Sequence, residues 1–331
     1  MALITVFGGS GGIGRQIVKL LAKKGHQVRV AVRDPHAALF LKPMGDVGQI
    51  TPVQANIRNE ASVRSAVEGA DAVINLVGIL YETAVQTFDS VQTQGAGLVA
   101  RAAADAGARS LIHLSAIGAS ATSPSAYARS KAAGEDAVRE TFPNSTILRP
   151  SVVFGPHDDF FNRFAAMARL PLPMPVFGCG LPRLTVEGIK IYGDGGTRFQ
   201  PVYVGDVAEA AVTCLERNDA RGKVFELGGP QVYSFCEIMA LVLKETRRWR
   251  LLIPVPFGIA AVIGFFAEFL PKPLLTRDQV KQLSFDNIIS GDCPTFADLC
   301  IKPTAAEVVL PSCLEAYRRG GRYAKVQPNL S

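Results

Sequence analysis

A tyrosine and a lysine four residues apart are the clearest candidates for chemistry in this chain. Tyr127 and Lys131 lie in the sequence Tyr-Ala-Arg-Ser-Lys, and in a helix this spacing places both side chains on one face. A nearby ammonium stabilises a phenolate and lowers the phenol pKa, so Tyr127 would serve as an acid or base near neutral pH. On a solvated helix such a pair has no role, and its meaning depends on the elements around it.

A glycine-rich turn near the start of the chain supplies that context. Gly8, Gly11 and Gly14 follow the apolar, β-branched run 3–7 and precede a helical pattern over 14–22. A strand, a glycine turn and a helix together present backbone N–H groups and a positive helix end to a diphosphate. The first glycine permits the tight turn, the second lets the backbone approach the phosphates, and the third lets helix and strand pack closely. The pattern predicts a dinucleotide site, whereas an ordinary loop would not need these flanking elements.

The end of the second predicted strand indicates which dinucleotide binds. Sites for NAD usually carry Asp or Glu about 20 residues past the glycines, but the strand 27–32 ends in Arg33. A guanidinium suits a 2′-phosphate, and Arg15 beside the third glycine is a second candidate cation. We therefore predict NADP(H) in preference to NAD(H). Asp34 is the contrary evidence, but it precedes Pro35 and fits a turn.

The first half of the chain alternates strand and helix patterns. This alternation predicts an α/β fold with a doubly wound parallel sheet, a Rossmann domain over 1–150. A smaller mixed lobe for a substrate or partner, interleaved with the sheet, is predicted over 151–320 and a tail over 321–331, while the role of the loop 178–191 stays open. Ligands bind at the carboxyl ends of such strands, so the loops after Val77, Leu114 and Arg149 should line the site. The predicted strands are 2–7, 27–32, 50–54, 72–77, 110–115 and 145–149, with 223–227 in the second lobe; the predicted helices are 12–24, 60–68, 86–106 and 126–141, with 206–217, 234–246, 256–269, 276–284 and 304–318 in the second lobe.

Composition excludes several functional classes. Of 331 residues, 48% are hydrophobic and 19% charged, which allows a large core and excludes wholesale disorder. The net charge of +6 comes without a basic run or an aromatic–basic stripe, so we expect no nucleic-acid partner. The six cysteines lack CxxC or histidine-paired spacing, which indicates reduced thiols and no metal site. Because the first strand begins at Ala2, no signal peptide is expected, and we predict a cytoplasmic protein.

An apolar window over 257–267 follows the basic, aromatic sequence Arg247-Arg248-Trp249-Arg250. Eleven residues are too few to span a bilayer, which needs about 20. One interpretation is a helix in which 247–270 contacts a membrane surface or a membrane-bound partner. The other is a buried helix of the second lobe.

The chain resembles the extended and atypical short-chain dehydrogenase/reductases over nearly its whole length, to about residue 320. Within that family it is most similar to the NAD(P)H-binding accessory subunits of respiratory complex I and their bacterial relatives, some of which are linked to ubiquinone biosynthesis. The residues that carry the family resemblance are 8–14, 75–78, 114–116, 127–131, 149–155 and 200–207, and those that carry the closer one are 127–135, 155–164 and 275–280.

The resemblance implies a role for each matching residue. Tyr127 and Lys131 would be the catalytic pair, with Lys131 also holding the nicotinamide ribose. Active members add a Ser or Thr beside the tyrosine. Ser115 or Ala116 occupies that position, and without a hydroxyl a site binds cofactor but polarises a carbonyl poorly. The implied cofactor contacts are Gly8, Gly9, Ser10, Gly11, Gly12, Ile13, Gly14 and Arg15 for the pyrophosphate turn, Arg33 for the 2′-phosphate, Asn56 and Ile57 for adenine, and Val77, Gly78, Lys131, Pro150 and Val153 toward the nicotinamide.

Three functions are consistent with these observations. The first is an NADPH-binding protein with a structural cofactor, peripheral to the inner membrane, whose partners are complex I subunits or quinone-biosynthesis proteins. The second is a soluble NADP-dependent reductase or epimerase that uses Tyr127 and Lys131. A redox-sensing regulator that uses the fold as an NADP receptor is a third, weaker alternative. Whether the chain turns over any substrate is left open by the sequence.

Overall fold

The computed structural model describes residues 1–179, 183–185, 188–190, 192–269, 273 and 275–321. Shorter helical segments lie at His36–Met44, Asp89–Thr93, Asn218–Ala220 and Glu315–Tyr317. The strands are β1 (Leu3–Phe7), β2 (Gln27–Val32), β3 (Ile50–Gln54), β4 (Ala72–Asn75), β5 (Ser110–Leu114), β6 (Thr146–Pro150), β7 (Val153–Phe154), β8 (Met174–Phe177), β9 (Arg183–Thr185), β10 (Gly188–Lys190), β11 (Arg198–Phe199), β12 (Val202–Tyr203), β13 (Val224–Leu227), β14 (Tyr233–Ser234) and β15 (Leu252–Val255). The helices are α1 (Gly12–Lys23), α2 (Glu60–Val67), α3 (Gln94–Asp105), α4 (Ala126–Thr141), α5 (Phe161–Met167), α6 (Val204–Glu216), α7 (Phe235–Thr246), α8 (Phe257–Ala267), α9 (Arg277–Leu283) and α10 (Ala306–Cys313).

The first of two compact units contains a seven-stranded sheet in the order β13-β6-β5-β4-β1-β2-β3. Every neighbouring pair is parallel. From β1 the chain moves outward to β2 and β3, then crosses back to β4 on the other side of β1, which makes the end of β1 a topological switch point. This arrangement confirms the predicted doubly wound parallel sheet.

Apolar side chains explain why these elements assemble. All residues of β4 and β5 are buried, as expected for strands covered on both faces. Helix α1 packs Ile17, Val18 and Leu21 into the core, each of them fully buried. A buried polar group in β1 is satisfied, because the Thr5 hydroxyl donates a 2.9 Å hydrogen bond to the Ala66 carbonyl.

The second unit is held together by aromatic residues. It comprises Ser151–Tyr203, Gly228–Ile288 and Pro303–Ser331. Its core surrounds Phe235, whose ring makes edge contacts with those of Phe164 and Phe177. Paired short strands complete the described part: β7 with β12, β8 with β15, β9 with β10, and β11 with β14. Within the residues that the structure describes, no helix is both long and apolar enough to cross a bilayer.

The boundary between the units differs from the prediction in one respect. We expected the helix 206–217 and the strand 223–227 in the second lobe, but α6 and β13 belong to the first unit, which comprises Met1–Pro150, Val204–Leu227 and Ile289–Lys302. The reason is strand pairing, since β13 adds to the sheet edge beside β6 with Phe225 opposite Leu148. The composition change after Pro150 therefore marks an insertion into the sheet domain, not its end.

Smaller differences concern element ends. The helix predicted over 86–106 begins with the π-helical turn Asp89–Thr93 before α3, and the helix predicted over 304–318 divides into α10 and a 3₁₀ turn. Parts of the loop 178–191 and residues 322–331 of the predicted tail lie outside the described residues.

Candidate functional site

The predicted residues of the first unit share one edge of the sheet. Those outside α1 and α4 lie at or just after the carboxyl end of a strand, and because the strands are parallel these ends lie side by side. Val153 belongs to the second unit, where β7 pairs it with Val202. In strand order the edge carries Asn56 and Ile57 after β3, Arg33 after β2, Gly8 after β1, Val77 and Gly78 after β4, Ser115 after β5, and Pro150 at the end of β6.

The glycine turn is packed so tightly that no side chain fits at Gly9 or Gly14. A Cβ on Gly14 would lie 2.4 Å from the Gly8 carbonyl oxygen, and a Cβ on Gly9 would lie 2.7 Å from Cγ1 of Val30. Gly8 has a φ of +76°, a conformation that favours glycine. Gly11 is less constrained, with 3.3 Å between its would-be Cβ and the Gly8 oxygen. The turn therefore holds α1 directly against β1.

The start of α1 has the properties of an anion site. Gly11 is the N-cap and supplies no capping side chain, although its own N–H donates to the Gly8 carbonyl at 3.1 Å. The first N–H groups of a helix, here on Gly12, Ile13 and Gly14, have no partner within the helix, and this end carries the positive pole of the helix dipole. A diphosphate fits this cradle, because it accepts from backbone N–H groups and needs a surface without side chains.

The two arginines near the turn differ in their contacts. Arg33 is exposed at the end of β2. Arg15 donates to the Ser10 carbonyl at 3.1 Å, and its guanidinium lies 4.9 Å from the ring centroid of Phe40. Asp34 accepts from the N–H groups of His36 and Ala37 at 2.9 and 3.1 Å, which confirms its predicted role in a turn.

The two residues predicted beside adenine have different environments. Asn56 is partly exposed, and its side-chain oxygen accepts from the Arg58 N–H at 3.1 Å. Ile57 is buried and packs against α3, where a Cβ on Gly95 would lie 3.0 Å from it. Only the first of these side chains is accessible at the sheet edge.

Helix α4 carries the Tyr127 and Lys131 pair to the same edge. The Ser125 hydroxyl caps the helix by accepting from the Ala128 N–H at 3.3 Å. The buried Lys131 Nζ donates to the Leu114 carbonyl at 3.1 Å and lies 6.0 Å from the Tyr127 ring centroid. A Cβ on Gly78 would lie 3.2 Å from this nitrogen, so a glycine leaves room for the ammonium. Lys131 thus joins α4 to the end of β5 by a hydrogen bond and lies beside the loop after β4.

The electrostatics of the pair correct one prediction. Burial raises the pKa of Tyr127 to about 12, although the side chain is partly exposed, and burial lowers the pKa of Lys131 to about 8 against the opposing charge of Glu135. The expectation that Lys131 lowers the phenol pKa is wrong for this structure, because desolvation dominates and the ammonium is directed at a carbonyl. At neutral pH the pair consists of a neutral phenol and an ammonium, which can donate protons.

Two buried polar groups beside the pair lack partners within the described residues. The Ser115 hydroxyl is one, and Nε2 of His113 is the other. Nδ1 of His113 lies 3.3 Å from the Asn75 side-chain nitrogen. Burial, followed by the Lys131 charge, lowers the pKa of His113 to about 3, so the imidazole is neutral. Buried groups without partners are costly, and Ser115 is one that a bound molecule could satisfy.

Sequence reasoning missed a buried ion-pair network next to this site. Glu135, one turn after Lys131, is almost fully buried and accepts from Arg149 at 2.8 and 2.7 Å. Arg139 lies 3.4 Å from the same carboxylate, and Glu226 on β13 lies 3.9 Å from Arg149. The spacing of Tyr127, Lys131 and Glu135 at i, i+4 and i+8 on one helix face is the signal that could have revealed it.

The sequence and the fold are similar to those of known proteins. The profile of the NAD dependent epimerase/dehydratase family matches residues 4–228. The chain is 35% identical over 329 residues to the mitochondrial NADH dehydrogenase [ubiquinone] 1 alpha subcomplex subunit 9 of Arabidopsis thaliana, covering 96% of this chain and 78% of that protein. It is 31% identical over 320 residues to the mitochondrial NADH-ubiquinone oxidoreductase 40 kDa subunit of Neurospora crassa, covering 96% and 80%. Among solved structures, a Streptomyces venezuelae dTDP-glucose 4,6-dehydratase with NAD and TYD bound is similar in fold, with a TM-score of 0.71, 18% identity and coverage of 98% and 100%.

Proposed function

This chain belongs to the NAD dependent epimerase/dehydratase family, and we propose that it is an NADP(H)-binding peripheral subunit of a respiratory NADH–ubiquinone oxidoreductase. The observation that carries the proposal is the extent of the similarity to such subunits. It covers 96% of the chain at 31–35% identity, whereas the family profile ends at residue 228. The similarity therefore includes much of the second unit, which the family's cofactor domain alone would not require.

The sheet edge supports a nicotinamide dinucleotide as the cofactor. Its diphosphate would lie on the glycine turn and the start of α1, and Lys131 would hold a ribose. Arg33 would bind a 2′-phosphate, since its guanidinium is exposed and the neighbouring Asp34 is engaged in a turn. This favours NADP(H) over NAD(H). When bound, such a cofactor supplies or accepts a hydride.

The state of Tyr127 supports a cofactor that is retained. A phenol with a pKa of about 12 is a poor base at neutral pH. Lys131 is bonded to the Leu114 carbonyl, and its ammonium is therefore not directed at the phenol. We infer that the cofactor stabilises the fold by binding only the folded state, which adds about 2.7 kcal/mol at 100 times its Kd.

Native purification tests the partnership. The chain should be recovered from membranes together with subunits of NADH–ubiquinone oxidoreductase, identified by mass spectrometry. Recovery as a free monomer with no respiratory subunit would refute the proposed assembly. Recovery with quinone-biosynthesis proteins would instead assign the chain to that process.

A reductase or epimerase is the second candidate, favoured by the shared helix face and the 6.0 Å separation of Lys131 Nζ from the Tyr127 ring. Here Tyr127 would exchange the substrate proton and Lys131 would keep the phenol and ribose in place. An enzyme should exchange bound NADPH with excess NADP⁺ rapidly and lose turnover in Tyr127→Phe. A retained cofactor predicts slow exchange, followed by NADPH fluorescence, at the same rate in wild type and Tyr127→Phe.

A further inference from the structure

Helix α8 in the second unit is apolar on its exposed side. Phe266 in the helix and Phe269 just beyond it are 66% and 76% exposed. We call the exposed set the α8 apolar face: Ile259, Val262, Ile263, Phe265, Phe266 and Phe269. The sequence left open whether this helix is buried, and the structure shows that most of its large side chains are not.

Helix α8 buries its small residues and exposes its large apolar ones, the opposite of an ordinary surface helix. Its buried residues are the small Ala260 and Gly264, one turn apart. A Cβ on Gly264 would lie 3.1 Å from the Arg277 backbone nitrogen at the start of α9, so the small side is seated against the protein. A surface helix normally buries its large apolar residues and exposes polar ones. Among the residues that the structure describes, none covers the α8 apolar face.

Helix α8 is too short to span a bilayer. Eleven residues make a helix of about 16 Å, roughly half of the 30 Å hydrocarbon core of a bilayer. The carboxylate that follows the helix, Glu268, is paired with Arg277 at 2.9 Å. The Arg277 guanidinium also lies 5.1 Å from the Phe265 ring centroid, so it presents positive charge beside the apolar face.

Four arginines from three separate segments of the second unit lie near one another. Arg169, Arg248, Arg250 and Arg319 are close enough that, besides burial, the other three charges lower the pKa of Arg248; we call them the arginine cluster. Arg248 and Arg250 are held by backbone carbonyls, those of Tyr317 at 2.9 Å and Leu170 at 2.7 Å. Because these acceptors are neutral carbonyls, the two hydrogen bonds do not neutralise the charges of the guanidinium groups.

Exposed apolar residues connect the cluster to α8. Trp249 is 83% exposed between two of the arginines, and Leu170, Leu172, Leu251 and Ile253 are exposed around it. Strand β15 then leads directly into α8. Tryptophan beside arginine is typical of a membrane–water interface, where an apolar body meets headgroups.

We propose that the second unit binds the surface of an anionic bilayer, with the α8 apolar face at the headgroup–acyl boundary and the arginine cluster on lipid phosphates. Charge complementarity favours lipid over an apolar protein partner, because the cations and the exposed tryptophan adjoin the apolar residues. An interfacial helix with flanking cations binds in this way. This inference deepens the proposed function by naming its membrane contact, but it depends only on residues of the second unit.

Vesicle binding by the full chain tests the proposal. Trp249 is the only tryptophan, so its fluorescence reports on the proposed interface. With vesicles of phosphatidylcholine containing about one-third phosphatidylglycerol, the chain should cosediment and its emission should shift to the blue and be quenched by brominated acyl chains. Binding should be weak with phosphatidylcholine alone and should fall at high salt. Absence of cosedimentation and of the shift, or equal binding to neutral vesicles, would overturn the proposal.

Matched variants locate the contact. The double variant Phe266→Ser with Phe269→Ser should lower vesicle affinity at least tenfold, and Arg250→Gln should lower it about fivefold. Val308→Ser, at a 71% exposed position, and Arg101→Gln, exposed on α3, should leave it unchanged. Because Phe266 and Phe269 are exposed, circular dichroism should show an unaltered fold. Unchanged affinity in the double phenylalanine variant would refute a role for α8. The purified chain needs no respiratory subunit or nucleotide here, so failure of vesicle binding is separable from failure of the proposed assembly.

Discussion

Replacing Gly14 with alanine should destabilise the first unit by a predictable amount. The new Cβ would lie 2.4 Å from the Gly8 oxygen and 2.6 Å from Cα of Gly9, about 1 Å inside ordinary contact. Both atoms belong to the backbone, so no side chain can rotate away. Overpacking of this kind costs about 1–3 kcal/mol, and the better helix propensity of alanine returns at most about 1 kcal/mol. We expect a net loss of about 1–2 kcal/mol in the free energy of unfolding.

Gly97→Ala is the matched control in the same unit. Its Cβ would lie 3.4 Å from Cβ of Ala137 on α4, an ordinary contact between two helices, so the same substitution should stabilise by about 0.5–1 kcal/mol. Urea unfolding of the nucleotide-free protein, followed by far-ultraviolet circular dichroism, measures both changes. Displacing α1 should also weaken NADPH binding at least tenfold in Gly14→Ala alone. Equal stability of the two variants would refute the argument that the turn holds α1 by close packing.

Three further predictions concern charge. Arg33→Ala should lower NADPH affinity at least tenfold and leave NADH affinity unchanged in fluorescence titrations, because a charge-assisted hydrogen bond contributes about 1.5–3 kcal/mol; equal losses for both nucleotides would count against a 2′-phosphate contact. Glu135→Gln should destabilise by about 3 kcal/mol, since it leaves Arg149 without its buried partner, whereas Glu140→Gln at an exposed position should change the urea midpoint little. His113 has a folded pKa of about 3 against 6.5 unfolded, so the unfolded state binds the extra proton and stability should fall as pH drops from about 6.5 toward 3; His113→Asn should flatten that fall in acid titrations, and an unchanged slope would exclude this imidazole as its source.

The sheet and its glycine turn could be predicted because their determinants are local. An apolar run of five residues, three spaced glycines and an apolar helix stripe define β1, the turn and α1 without reference to distant residues. The same applies to α4, whose observed bounds, Ala126–Thr141, equal the predicted ones. Each strand end then placed a candidate residue at the carboxyl edge, as parallel pairing requires.

What escaped prediction depends on long-range pairing. Nothing local in 223–227 shows that β13 pairs with β6, 74 or more residues away, and so it was assigned to the wrong unit. The Tyr127 pKa was predicted to fall because only the nearby lysine was visible in sequence. Burial, and the bond from Lys131 to the Leu114 carbonyl, are properties of the folded chain. The exposure of α8 likewise required coordinates, since an apolar window is equally typical of a buried helix.

The identity of the nucleotide that stays with the purified protein shows whether NADP(H) is a retained cofactor. The chain should be isolated natively without added cofactor, passed through gel filtration and denatured, and the released nucleotide should be identified and counted by mass spectrometry. We predict about one NADP(H) per chain in the wild type and a large loss in Arg33→Ala. Natively isolated protein that carries no dinucleotide, or that carries NAD(H) unaffected by Arg33→Ala, would contradict a retained NADP(H) cofactor.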